Sequence, residues 1–324
     1  MPETLLAGHH RKLRLRPPIF WQRWNVSPYQ TTELPDGKKA KRKLSLPIRL
    51  DRSIGRRGKI LPESVFIGAD IEPYPELEKT SRITRRCLEV LGKHGCPLIL
   101  STASTLVLRD IDLIRELHED SLATIGFQLY PGFNDLTGGK EPDNSLSELV
   151  PVLERICRSG VQTGFLVGVE TVKNLTGASL NDLFVTATKI GLDFIHFTGL
   201  NILKANSTVD LPVKKEVREA VLRLSKEYSI PLTPRRHLPK DIRLENFWLA
   251  EMLSNQAYYL ELSGVRATKY WDAVKKIDNF DGDIRVWALR GELAAMVSAD
   301  ATVRGEIERL MRGERFANLP GKAK

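Results

Sequence analysis

From residue 64 onward, short apolar runs alternate with longer stretches in which apolar residues recur every three or four positions. SVFIGAD (64–70), PLILST (97–102), LATIGFQLY (122–130), VQTGFLVGVE (161–170) and LDFIHFTGL (192–200) are continuous apolar runs, the pattern of strands buried on both faces. Between them, stretches near 80–92, 106–119, 146–158, 179–190 and 213–228 read as amphipathic helices, the first with Ile83, Cys87, Leu88 and Leu91 on one face. Residues 23–29 read as an earlier strand and IPLTP (230–234) as one more. Strands alternating with helices of this length form βαβ units around a parallel sheet. No Gly-x-Gly-x-x-Gly follows the first strand, so an α/β fold of the incomplete (β/α) TIM-type barrel fits better than a doubly wound sheet.

After Pro239 the strands stop. Residues 241–262, 265–278, 283–298 and 300–312 read as consecutive helices, the first ending on Gly264. The expected organisation is a basic N-terminal arm with the first barrel strand (1–62), a (β/α) barrel (63–239) and a helical C-terminal extension (240–324).

Charge changes this picture more than composition does. Residues 1–62 hold fifteen Lys/Arg and four acids, a net charge of +11, whereas the whole chain is +9, so residues 63–324 sum to −2. A near-neutral body with a strongly basic first fifth points to a polyanionic partner. No apolar run approaches the roughly 20 residues that span a bilayer, so no membrane partner is expected. A cytoplasmic location is expected, with an organelle matrix as the alternative, because the basic start also suits a transit peptide. Three cysteines, Cys87, Cys96 and Cys157, with no short spacing between them, argue against a disulfide framework. They read as buried small hydrophobes. His94, His118 and His237 read as exposed.

Three blocks then stand in order: Ile71-Glu72-Pro73-Tyr74-Pro75-Glu76-Leu77-Glu78, Ile83-Thr84-Arg85-Arg86-Cys87-Leu88-Glu89-Val90-Leu91, and Thr102-Ala103-Ser104-Thr105-Leu106-Val107-Leu108-Arg109-Asp110. With Ser27-Pro28-Tyr29 before them and Glu141-Pro142 after, they resemble the spore photoproduct lyase-like branch of the radical SAM superfamily, over about 25–200 and more weakly to 250. The resemblance implies a radical SAM-type (β/α) barrel. For chemistry it also implies a C-x-x-x-C-x-x-C loop just past the first strand, holding a [4Fe–4S] cluster that binds S-adenosylmethionine. Thiolates are what such clusters require, and residues 30–44 contain neither cysteine nor histidine. The lysine that the resemblance assigns to the cofactor's charged end is Ala103 here, and its S-I-T-T after strand four is Gly126-Phe127-Gln128-Leu129. Neither the cluster nor S-adenosylmethionine is therefore expected to bind, and no other cofactor is indicated. The chain reads as a degenerate member, a pseudoenzyme with no catalytic residue assigned.

The C-terminal strand ends of such a barrel would gather Asp70, Glu72, Ser101, Thr102, Gln128, Glu170 and His196 as a vestigial pocket. Asp70, Glu72, Glu170 and His196 have the chemistry of a divalent-metal site, but solvated rim residues are the simpler reading and no metal is expected. The basic segment interleaves cations with aromatics. Arg14, Arg16, Trp21, Arg23, Trp24, Lys38, Lys39, Lys41, Arg42, Lys43, Arg56 and Arg57 are the candidate nucleic-acid-binding residues, the cations for phosphates and the rings for bases. The competing reading makes Trp21 and Trp24 plugs of the barrel bottom. The expected function is non-catalytic binding or scaffolding of nucleic acid, RNA or a ribonucleoprotein. The alternatives are an inactive subunit paired with an active radical SAM paralogue, and an enzyme of another class reusing the S-adenosylmethionine pocket.

Overall fold

The computed structural model describes residues 22–34, 37–56, 64–69, 71–129, 146–168, 177–197, 215–298 and 300–312. The chain divides into two compact units, Met1–Asn174 with Val185–Thr198, and Leu175–Phe184 with Gly199–Lys324.

The first unit is built on a six-stranded parallel sheet. Its strands are β1 (Gln22–Val26), β4 (Ser64–Ile67), β5 (Leu98–Thr102), β6 (Ala123–Gln128), β7 (Gln162–Val167) and β8 (Phe194–Phe197). They lie side by side in chain order, with no reversal. Right-handed crossovers between consecutive parallel neighbours place the connecting helices on one face of a sheet.

The register shows how the two faces differ. Val65 pairs with Leu98, Leu100 with Ile125, Phe127 with Phe165, and Val167 with Phe197, giving one face of large, buried aliphatic and aromatic side chains. On the other face Ser101 pairs with Gly126, Thr124 with Gln162, and His196 with Leu166, which pairs in turn with Gln128. Thr124 donates to Gln162 Oε1 at 2.6 Å, so this buried polar pair is satisfied. The strands are thus buried on both faces, as their continuous apolar runs require; the first face is mostly apolar, with Thr102 opposite Phe127 and Thr163 opposite Ile125 as polar members.

Among the described residues, five helices lie wholly in this unit: α1 (Leu46–Gly55), the short α2 (Glu78–Ser81), α3 (Ile83–Lys93), α4 (Ile111–Ser121) and α5 (Leu146–Cys157). A 3-10 turn, Thr105–Asp110, precedes α4 and is capped by Ser104, whose hydroxyl accepts from the Leu106 amide. The expected helix near 106–119 therefore starts as a tighter turn. The division between units falls inside α6 (Gly177–Ile190).

Two elements depart from expectation. The polar stretch after β1 is a paired ribbon, β2 (Tyr29–Leu34) and β3 (Gly37–Arg42), antiparallel from Tyr29 opposite Arg42 to Leu34 opposite Gly37. Residues 46–55 form α1, with Leu46, Pro47, Leu50 and Ile54 buried on one side and the body of α3 beneath. Proline is tolerated there because it sits in the first turn, where the amide has no helical acceptor.

The second unit is helical: α7 (Lys215–Glu227), α8 (Leu244–Leu262), α9 (Thr268–Asp278), α10 (Ile284–Leu289), α11 (Leu293–Val297) and α12 (Ala301–Met311). α8 is buried on nearly every side, through Phe247, Leu249, Leu253, Ala257 and Tyr258, and forms the centre of this unit's core. Residues 230–234 are not a strand. Pro231 and Pro234 withhold two of the amides a ladder needs. The expected helix 283–298 is two helices broken at Gly291, whose φ of +69° a side chain rarely adopts.

Candidate functional site

Parts of all three blocks that carry the resemblance, together with Tyr29, meet in one buried ionic network. Glu78 and Asp110 are fully buried. Arg109 reaches both, donating to Glu78 Oε1 at 2.7 Å, to the Glu78 carbonyl at 2.9 Å, and to the two oxygens of Asp110 at 2.9 and 2.8 Å. Arg85 donates to Asp110 at 2.9 Å and to Asp112 at 3.3 Å. Glu78 also accepts from the Tyr29 hydroxyl and from the backbone amides of Thr84 and Arg85. Tyr29 shares its hydroxyl with Ser81 at 2.6 Å.

Hydrogen bonds donated to Asp110 are the main cause holding both guanidinium pKa values above their usual range, so the cations stay charged. Burial is the main force raising the Tyr29 phenol, with Glu78 next, so it stays neutral. These carboxylates are engaged by internal partners. The network ties β2, α2, the start of α3, the 3-10 turn and the start of α4 into one piece. It is a scaffold, and its chemistry is used up inside the protein.

Of the expected pocket residues, Ser101 and Thr102 close β5, Gln128 closes β6, and Glu72 follows β4 in the chain. Glu72, 1% exposed, accepts from Thr102 Oγ1 at 2.5 Å, the Tyr74 amide at 2.8 Å and the Ala103 amide at 2.9 Å. Burial raises its carboxyl above the ordinary range against the pull of those donors. Gln128, at the end of β6, donates to Ser101 Oγ and to the Gly68 carbonyl. Gly68 has φ +91°, and a side chain there would meet the Ser101 carbonyl at 2.0 Å, so the chain passes β5 only as glycine. The structure thus forms two clusters, Glu72 with Thr102 and Gln128 with Ser101. His196 is buried on β8, on the sheet face shared with Gln128. Asp70 and Glu170 lie outside the described residues, as do the loops after β6, β7 and β8. Among the described residues no group of three or more His, Cys, Asp or Glu converges as a metal would require.

Cys87 and Cys96 are buried as expected, whereas Cys157 is half-buried. Burial pushes Cys87 up to about 12, and Cys96 and Cys157 up to about 11. Thiolate, the form that ligates and attacks, is suppressed in all three. The histidines expected to be exposed are half-buried: His94 meets Asp51 at 2.7 Å and His118 faces the Ala123 carbonyl at 2.8 Å.

Of the candidate nucleic-acid-binding residues, Arg14, Arg16, Trp21 and Arg57 lie outside the described residues. Arg23 and Trp24 stand in β1, and Lys38, Lys39, Lys41 and Arg42 in β3, with backbone alone described. The register sets Lys39 and Lys41 on one face of the ribbon, across from Thr32 and Gln30, and Lys38 and Arg42 on the other. Lys43 closes the ribbon base, its amide donating to the Pro28 carbonyl at 3.2 Å. Arg56 is exposed at the end of α1.

Arg49 and Arg52 were not among the expected residues, yet both are exposed on α1 with Arg56. The signal was present as Leu46, Leu50 and Ile54, spaced by four, which fixes the opposite face of a helix.

Two concavities lie in the second unit. One of about 410 Å³ is lined by Lys275, Lys276, Asn279, Phe280 and Met296, and one of about 310 Å³ by Gly291, Ala295, Ala301, Arg304, Gly305 and Glu308. No helix of the described residues is long and apolar enough to cross a membrane. Neither a protein-family model, nor a curated protein, nor a solved structure matches the chain.

Proposed function

We propose that this protein is a radical SAM-like incomplete (β/α) barrel that has given up cluster chemistry and binds nucleic acid, RNA or a ribonucleoprotein, without catalysis. The observation that carries the reading is the ribbon β2–β3. It occupies the segment after the first strand where the resemblance places the cluster loop, pairs through six positions, and contains no thiol. Four of its fourteen residues are cations, and Lys43 follows directly. A two-stranded ribbon is only marginally stable by itself. Here its first residue, Tyr29, is locked into the Glu78 network. Parallel strands lying side by side in chain order also suit a barrel whose inner face is the one bearing Ser101, Gln128 and His196.

Fluorescence anisotropy with a labelled 20-nucleotide RNA tests the reading. Six to ten phosphate contacts would weaken affinity by about 10³ to 10⁵ between 50 and 200 mM salt. Replacing Lys38, Lys39, Lys41, Arg42 and Lys43 together by Gln lowers the salt slope by about 3 to 4, at ~0.7 per single-strand phosphate. Equal slopes for the wild type and this variant would refute the assignment to the ribbon.

A further inference from the structure

We infer that helix α1 presents a second phosphate-binding element, a ridge of Arg49, Arg52 and Arg56, that continues the cationic surface of the ribbon; the inference rests on the proposed nucleic-acid function. At 100° per residue these three positions fall within an arc of about 60°. That arc lies opposite the buried Leu46, Leu50 and Ile54. All three arginines are exposed, and among the described residues no carboxylate pairs with any of them. Three exposed arginines elsewhere meet a glutamate one turn away, Arg115 with Glu119, Arg158 with Glu154 and Arg223 with Glu227. The sole acid of α1, Asp51, faces away from the ridge and is held by Lys93 at 2.9 Å and His94 at 2.7 Å on the neighbouring helix.

The ridge is therefore fixed in place and electrostatically unsatisfied. Only three residues, 43–45, separate helix α1 from the end of β3. Over residues 38–56 the chain carries eight Lys/Arg and one acid. From Arg49 to Arg56 the helix rises ~10 Å, about the length of three nucleotides of a duplex strand at 3.4 Å each. No aromatic residue stands on α1 to stack a base. Arginine forks without stacking rings bind phosphates whatever the sequence. The ridge thus aligns the nucleic-acid backbone, and sequence preference is left to other parts of the protein. Leu44 and Ile48, 60% and 57% exposed, flank it.

The test compares salt slopes for a labelled 20-nucleotide RNA among full-length wild type, Arg49→Gln/Arg52→Gln/Arg56→Gln, the corresponding triple Lys variant, and the five-fold ribbon variant. The triple Gln variant is expected to lose about 2 from the slope, at ~0.7 per phosphate, equally for oligo-U and a mixed sequence, with unchanged circular dichroism and melting temperature. The triple Lys variant keeps the slope. A triple Gln slope equal to wild type, with the ribbon variant still impaired, overturns the ridge and leaves the proposed function standing. A wild type whose binding shows no salt dependence overturns both. Sedimentation of the RNA-free protein as a dimer that Ile48→Asn dissociates would assign the face to a second copy of the chain, and overturns the inference.

Discussion

Replacing Arg109 by Met removes the hub of the Glu78–Asp110 network while keeping a flexible apolar stem of similar length. Four charge-assisted hydrogen bonds go: two to Glu78, one of them to its carbonyl, and two to Asp110. Both carboxylates are fully buried, so neither can turn to water instead. Asp110 keeps Arg85, and Glu78 keeps Tyr29 and two amides. Breaking a buried pair from one side costs about 3–5 kcal/mol, because an uncompensated charge stays behind. At about 2–4 °C per kcal/mol, melting should fall by roughly 6–20 °C. Urea denaturation read by hydrogen exchange at β4, β5 and β6 follows the first unit directly. The double variant Arg109→Met/Glu78→Gln should recover part of the loss, with a coupling of about 1–3 kcal/mol. A cost below about 1 kcal/mol, the size of an exposed pair, would refute the claim that this network holds the matching blocks together.

In the second unit, burial raises Glu251 to about 7, and the carboxyl accepts from the Arg236 amide at 2.9 Å. The folded state therefore binds a proton that the unfolded chain, near 4.5, releases, so stability falls as pH rises from about 4.5 to 7, by about 3 kcal/mol at 1.36 per unit. Glu251→Gln should abolish that decline in urea titrations; the same decline in both proteins would contradict it. Gly68→Ala should cost more than about 2 kcal/mol by chemical denaturation, since left-handed strain of about 1–2 kcal/mol adds to a clash with backbone; a neutral result would mean that the chain passes β5 differently. The native thiols should react with Ellman's reagent only on unfolding, and anaerobic iron and sulfide should leave the protein colourless; rapid labelling at pH 8 or a broad band near 400 nm would speak against the buried-thiol reading.

The strands were legible because a parallel sheet buried on both faces needs unbroken apolar runs, and each of the five from β4 onward has one. The more polar face of the sheet was hidden inside those runs, since Ser101, Thr124 and Gln128 are single residues whose common side appears only with the register. The ribbon carries almost no apolar signal. Its β2 and β3 alternate threonine, glutamate and lysine, and only Pro-Asp-Gly marked the turn. Helix α1 was masked by its own charges, although Leu46, Leu50 and Ile54 had the spacing. IPLTP had the composition of a strand but not the amides. Glu78 and Arg109 lie 31 positions apart, so no local spacing could reveal the pair. Glu72 with Thr102, and Gln128 with Ser101, were foreseeable once strand ends were assumed to converge. Asp70 and Glu170 fall outside the described residues, so the four-ligand cluster stays an expectation.

The central claim is that residues 38–56, and not the C-terminal ends of the parallel strands, meet the polyanion. Photo-cross-linking of the full chain to a 4-thiouridine-substituted 20-nucleotide RNA, followed by Glu-C digestion and mass spectrometry, locates the contact. The account predicts cross-links within 38–56, lost progressively between 50 and 200 mM salt. Cross-links confined to the segments after β5, β6 or β8, persisting at high salt, would contradict it and return attention to Glu72, Gln128 and His196.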